Sequence, residues 1–263
     1  MFLIAGPCAI ENREMVLQTA RTLKDVCGDL GIHLIYKSSF DKANRTSANS
    51  QRGIGMARGL EILSEVKQTL GLPILTDVHE SWQCPPVAQV ADILQIPAFL
   101  SRQTDLLLAA AQTGRIVNVK KGQFMAPWDM QGVVSKIASI PSETPVNQRL
   151  WLTERGSSFG YGNLIVDMTS LVEMRKFGCP IIFDATHSVQ KPSSQAGVTG
   201  GNREMVPYLI RAAIAVGIDG LFLEVHPDPD HAISDAANQV KLSDIRTILT
   251  QALAIDNLVN TLK

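Results

Sequence analysis

Four residues far apart in this chain have the donor chemistry of a metal centre: Cys8, His187, Glu224 and Asp235. One thiol, one imidazole and two carboxylates form a mixed set suited to a divalent zinc, iron or manganese ion. A second group is cationic: Lys37, Lys42, Arg45, Arg102, Lys120, Lys121 and Arg155. Lysine and arginine are the side chains that recognise phosphate and carboxylate, so the group points to an anionic small molecule. Each reading has a plainer counterpart. A buried cysteine after Gly-Pro is more often inert core than ligand. A lone histidine at a strand end can be merely hydrogen-bonded. Loop cations can be solvated or paired with acids, as Lys121 and Arg45 could be individually.

These residues have a common position, because each lies at or just beyond the end of a short apolar run. FLIAGPC ends in Cys8, LIYKSSFDK in Lys37 and Lys42, PILTDVH in Asp77 and His79, and ADILQIPAF carries Gln95. IVNVKK ends in Lys120 and Lys121, LWLTER in Glu154 and Arg155, PIIFDATH in Asp184 and His187, and LFLEVH in Glu224 and His226. Between the runs lie stretches long enough for helices. Val16, Ala20, Leu23, Cys27 and Leu30 repeat at helical spacing up to Gly31, and Leu60, Leu63, Val66 and Leu70 do so up to Gly71. Shorter helices are expected over 82–90, 103–113, 128–138 and 167–176. Met205 to Val216 and Ile245 to Val259 complete the set.

Near-continuous apolar strands alternating with helices describe a parallel sheet covered on both faces. Eight such units predict a single (β/α)8 TIM barrel spanning 1–263, and such barrels gather all strand C-termini at one functional mouth. A doubly wound open sheet is the alternative. It ordinarily has fewer units, and no GxGxxG follows the first strand. Segments 40–55, 141–149, 188–203 and 227–240 read as irregular, and all but the second follow strand ends. The GGNRE stretch at 200–204 is expected to open a helix, either as a phosphate-binding turn or simply as a loop. His33 starts a strand at the far end of the barrel, and His231 sits in a turn; both read as uninvolved.

Bulk composition narrows the function classes. The chain has 263 residues, 24 basic against 25 acidic, and net charge −1, which disfavours a nucleic-acid or anionic-membrane surface. No apolar run approaches the roughly 20 residues needed to cross a bilayer. The start lacks a basic region followed by a long apolar core, so no secretory signal is expected. Cys8, Cys27, Cys84 and Cys179 form no CxxC pair, consistent with reduced thiols and a cytoplasmic location. There is no GxSxG elbow, HExxH or Walker loop.

The segments AGPCAIEN, YKSSFDKANRTS, LTDVHE, PAFLSRQTD, NVKKGQFMAP, TERGSSFGYGNLIVDM, FDATHSVQ and FLEVHPDPDHAISDAANQ resemble the 3-deoxy-D-manno-octulosonate-8-phosphate (Kdo-8-phosphate) synthases. The resemblance runs in register from residue 3 to about residue 240. It implies a transferase of lipopolysaccharide biosynthesis, usually homotetrameric, that condenses phosphoenolpyruvate with D-arabinose 5-phosphate and water. Cys8 and the SDAANQ segment are similar to the metal-dependent branch, whose ligands map onto Cys8, His187, Glu224 and Asp235. The same mapping gives Lys120 and Arg155 to the phosphoenolpyruvate phosphate, and Lys37 and Lys42 to its carboxylate or the sugar aldehyde. Asn44, Arg45 and Thr46 fall to arabinose 5-phosphate, and Gln95 to the pocket wall. Arg102 falls to the sugar phosphate across a subunit interface. Catalysis rests on Lys42, Cys8 and His187. The sequence begins directly at the first run, without the N-terminal extension that some members of that family have, so nothing is expected to cover the barrel bottom ahead of it. Two rivals stand beside this reading. One is a heptulosonate-7-phosphate synthase, which carries a KPRTS-like loop where this chain has KANRTS. The other is a non-enzymatic phosphosugar-binding barrel.

Overall fold

Side chains along a strand alternate between its two faces, and that alternation decides what each of the eight predicted runs can do. The structure is a computed structural model, and it describes residues 1–45, 49–195 and 198–262. In it the runs become β1 (Phe2–Gly6), β2 (Leu34–Lys37), β3 (Ile74–Asp77), β4 (Ile93–Ile96), β5 (Ile116–Lys120), β6 (Leu150–Glu154), β7 (Ile181–Asp184) and β8 (Gly220–His226). All pair in parallel with their sequence neighbours, and β1 pairs with β8 from Phe2↔Gly220 to Gly6↔Glu224, which closes the barrel. The fold is the (β/α)8 barrel that the runs predict.

Helices follow the strands in order: α1 (Arg13–Leu30), α2 (Met56–Leu70), α3 (Cys84–Val87), α4 (Thr104–Gln112), α5 (Met130–Ala138), α6 (Thr169–Arg175), α7 (Val206–Val216) and α8 (Ile245–Asn260). Asn12 caps α1 by accepting the Met15 N–H at 2.8 Å, and Gly31 ends it in the left-handed conformation, φ 67°. The third connector is the shortest: Pro85 and Pro86 permit one helical turn at its start and a 3-10 turn, Ser81–Gln83, precedes it. Outward-facing strand residues pack against these helices in one continuous core.

Inside the barrel a second, smaller cluster forms from Ile4, Ile35, Leu75, Ile93, Ile182 and Phe222. The next inward position on five of those strands, two residues further on, is Lys37, Asp77, Gln95, Asp184 and Glu224. Strand pairing holds the levels in register. An apolar plug therefore carries a charged layer directly above it, and the layer faces the mouth.

Two segments expected to be irregular have structure of their own. Residues 188–203 contain an antiparallel hairpin, Gln190–Gln195 with Val198–Gly201, so Gly200 and Gly201 end a strand instead of opening a helix. Gly201 is required there by proximity, since a Cβ would lie 1.4 Å from Asn238 Oδ1. Within 141–149, Val146–Arg149 form one helical turn. The loop after β8 returns to the strand it left. Val240 and Lys241 pair in parallel with Val225 and His226.

Gly6 shows how closely β1 and β2 approach, because a Cβ there would meet the Lys37 carbonyl oxygen at 1.9 Å. Gly6→Ala is expected to lower stability by about 3 kcal/mol, at the upper end of overpacking costs. Gly132→Ala, in open space on α5, is expected to raise it by about 0.5–1 kcal/mol. Urea denaturation of both variants measures the contrast.

Candidate active site

The charged layer is a set of buried ion pairs. Lys37, 1% exposed, donates to Glu224 Oε1 at 2.9 Å and to the Cys8 carbonyl at 3.3 Å. Lys42 Nζ approaches the same Glu224 oxygen at 3.7 Å. Lys120 lies 2.6 Å from Asp184 Oδ2 and 4.0 Å from the centre of the Phe222 ring, so the plug also stabilises its charge. Burial disfavours ionisation of Glu224, yet Lys37, His187, Lys42 and Lys120 hold its carboxyl well below the usual range. Asp184 and Asp77 are likewise held low against burial, the first by His187 and Lys120, the second by Lys37 and Lys42. Lys42 stays firmly protonated: burial opposes its charge, but Glu224, Asp77 and Asp235 outweigh it. Sequence reading picked out the cations, whereas the structure sets a carboxylate beside each of the four lysines.

Cys8, Glu224 and Asp235 bring their ligand atoms within 4.8 Å of one another. Burial and the charge of Glu224 push the Cys8 thiol well up, so the protonated thiol donates to Asp235 Oδ2 at 3.2 Å. Asp235 is the one non-glycine with positive φ (50°) among the described residues, a conformation aspartate tolerates better than most. His187 stands beside this trio. Its Nδ1 lies 2.7 Å from Asp184 Oδ2, and its Nε2 faces Glu224 Oε2 at 3.6 Å. The same Nδ1 lies 3.4 Å from Lys120 Nζ. Glu224 Oε2 is buried without a hydrogen-bond partner. A buried carboxylate oxygen left without a donor is an atom that a bound cation would satisfy. The residues present fit a thiophilic divalent ion.

The mouth above is a cavity of about 680 Å³ whose wall includes Lys37, Lys42, Asn44, Arg45, Gln95 and Lys120, together with Arg155, His187, Glu224 and Asp235. Arg155 is 4% exposed; one guanidinium nitrogen, Nη2, donates to Gln190 Oε1 at 2.5 Å, while Nη1 has no partner. Among the described residues Arg45 bonds two carbonyls, Gln51 O at 2.9 Å and Ile233 O at 2.7 Å, and so stitches the loops after β2 and β8 together. Lys121 points away, bonded to Ser157 Oγ at 3.0 Å and 3.6 Å from Glu154. Arg102 is exposed and does not line this cavity. Thr46 lies outside the described residues. His231, read as uninvolved, stands at the cavity rim against Asp228.

Three contributors escaped sequence reading. Asp184 was visible only as a strand end, although it orients both Lys120 and His187. Gln190 bonds Asp235 Oδ1 at 2.9 Å as well as Arg155. Gln239 accepts the Cys8 N–H at 3.1 Å and donates to Ser234 O at 2.8 Å. Polar side chains without charge leave no spacing signal, and only the folded loops show what they join.

The model of the DAHP synthetase I family matches residues 1–261. The chain belongs to that family. Among its relatives, a protein of Rhodopseudomonas palustris named 2-dehydro-3-deoxyphosphooctonate aldolase is 58% identical over 97% of this chain and 88% of its own length. Proteins of the same name from Geobacter metallireducens and Fusobacterium nucleatum are 56% and 54% identical, each over 98% of this chain and 93% and 91% of their own lengths. The family resemblance expected from the sequence is therefore borne out nearly end to end.

Removing the Asp184 charge tests the buried layer. Its carboxyl is held low in the folded state, so its contribution is complete above the unfolded value, 3.8, and is lost as pH falls through the depressed folded value. Asp184→Asn is expected to cost about 3–5 kcal/mol at pH 7, the usual penalty for stranding one member of a buried pair. That deficit should narrow under acid, where the wild type loses the same interaction. Urea titrations at neutral and at strongly acid pH measure both.

Proposed function

We propose that the whole chain, 1–263, is one catalytic barrel that condenses phosphoenolpyruvate with D-arabinose 5-phosphate and water. The products are 3-deoxy-D-manno-octulosonate 8-phosphate and inorganic phosphate, a transferase step of Kdo and lipopolysaccharide synthesis. The relatives' printed name describes the same eight-carbon product. The observation that carries the reading is one cavity in which Lys37, Lys42, Lys120 and Arg155 converge beside the Cys8–Glu224–Asp235 cluster.

C3 of phosphoenolpyruvate bonds to the aldehyde carbon while water adds at C2, and the resulting hemiketal phosphate loses phosphate by C–O cleavage. Lys120 and Arg155 receive the phosphate of phosphoenolpyruvate. The unpartnered Arg155 Nη1 offers a donor that costs no existing bond, and a buried cation steadies the charge gathering on a leaving phosphate. Lys37 and Lys42 hold the carboxylate or the aldehyde. Lys42, kept protonated by its acidic neighbours, gives its proton to the alkoxide that forms at the aldehyde. Asn44, Arg45 and Thr46 take the sugar phosphate chain, and Gln95 closes the wall. A divalent zinc, iron or manganese ion held by Cys8, His187, Glu224 and Asp235 would supply Lewis-acid polarisation.

Arg102 completes the sugar-phosphate site of a neighbouring subunit in a homotetramer. It is exposed, and so are Phe99, Phe124 and Trp128 on the loops after β4 and β5. Those two loops pack through Ser101 Oγ to Met125 Sδ at 3.2 Å. Cytoplasmic residence fits both these substrates and the fact that no helix among the described residues is long and apolar enough to cross a membrane.

The deciding experiment is phosphate release from phosphoenolpyruvate. It should appear with arabinose 5-phosphate and stay at background with erythrose 4-phosphate; the reverse preference would identify a heptulosonate-7-phosphate synthase. No release with either sugar would favour a binding-only barrel. A second prediction concerns Cys8. Chelation should remove most activity and added divalent metal restore it, and Cys8→Asn should leave partial activity that chelators no longer touch. Undiminished turnover in verified metal-free protein sinks the metal assignment.

A further inference from the structure

Gln190 spans the gap between a cation and a carboxylate of the candidate site. Its amide oxygen accepts from Arg155 Nη2 at 2.5 Å, and its amide nitrogen donates to Asp235 Oδ1 at 2.9 Å. With Oδ1 held in this way, the other oxygen of Asp235 lies 3.2 Å from Cys8 Sγ. The direction of the chain is fixed by chemistry. A guanidinium can only donate and a carboxylate can only accept, so the link between them must offer one acceptor and one donor. A primary amide does so; a carboxylate lacks the donor and an ammonium lacks the acceptor.

The two ends need this link unequally. Arg155 is buried at the end of β6, where its own strand positions it. Asp235 is half-buried on the long loop after β8 with its backbone in the left-handed region. Among the described residues its side chain is bonded by Cys8 beyond the end of β1, by Ser234 on the same loop and by Gln190, and Gln190 is the partner that carries the link on to a cation, Arg155 at the end of β6. Gln190 is also the first residue of the hairpin Gln190–Gln195 with Val198–Gly201. One side chain thus ties Arg155, the aspartate on the loop after β8 and the base of the hairpin.

We propose that Gln190 is a positioning residue: it aims Asp235 at Cys8 and Glu224, and it does so only while Arg155 holds the other end of its amide. This rests on the metal reading above. It makes a prediction of sign that simple electrostatics opposes. Removing a nearby cation should by charge alone tighten binding of a metal ion. If Arg155 acts through Gln190, its removal instead loosens metal binding, and only when Gln190 is present.

The test is titration of cobalt(II) into metal-free full-length protein without substrate, followed by the near-ultraviolet thiolate-to-cobalt absorbance. Gln190→Ala is expected to weaken cobalt(II) binding by roughly 10–100-fold, the range for outer-shell partners of metal ligands. Arg155→Ala should weaken it in the Gln190 background and cause no further weakening in the Gln190→Ala background, a non-additive cycle. Unchanged affinity in Gln190→Ala, tighter binding in Arg155→Ala, or additive losses would each overturn the relay while leaving the metal site intact. Absence of the absorbance band in the wild type overturns the metal reading and the relay with it. Should Gln190→Ala fail to fold, Gln190→Met keeps the length of the side chain without its polar ends and carries the same expectations.

Discussion

A charge taken out of water must be met by an opposite charge or a hydrogen bond, and the upper part of this barrel is organised by that requirement. The strand alternation places Lys37, Asp77, Asp184 and Glu224 above Phe222 and its apolar neighbours, where little water reaches. None of these groups could be buried alone, because an isolated buried ion costs far more than the fold could sustain. Paired as Lys37 with Glu224 and Lys120 with Asp184, and with Lys42 beside Glu224 and Asp77, three cations balance three carboxylates in a neutral, preorganised layer. Such a layer can receive an anion against its lysines and a cation against its carboxylates without either being balanced by water.

The same requirement explains the division of labour around Glu224. One oxygen is committed to Lys37 and the other faces His187 Nε2 at 3.6 Å without a hydrogen bond. The carboxylate therefore joins the cation network to the metal-capable cluster. A barrel that solved only the problem of charge pairing would satisfy both oxygens. Leaving one unmet in a buried place carries a cost in stability, of the kind expected where structure is held ready for a ligand.

The fold was legible because its signals are periodic: eight apolar runs, helical stripes ending at Gly31 and Gly71, and polar residues at each run's end. The site was legible in so far as its residues carry charge or sulfur, which is why Cys8, His187, Glu224, Lys120 and Arg155 stood out. What stayed hidden depends on register and on loop conformation. Asp184 belongs with Lys120 because β5 and β7 both point those residues inward at one level, a relation no spacing expresses. The hairpin at 190–201 lacks a conspicuous turn signature, and its glycines suit a helix start as well as a strand packed against Asn238. Lys121 resembles Lys120 in sequence, yet one step along a strand turns it to the opposite face and into a structural pair with Glu154.

The loop after β8 leaves at His226 and comes back at Val240 to pair beside Val225. Its two ends are therefore clipped to one strand. Lengthening or shortening the residues between them moves no other strand, so the barrel's register is insulated from whatever happens there. Asp235 and the Arg45-bound Ile233 lie within this clipped segment. The cavity wall on this loop can accordingly be remodelled by insertion or deletion while Glu224, a few residues earlier on the same strand, keeps its place. A barrel wired in this way can change what its mouth admits in one loop without giving up the charged layer beneath.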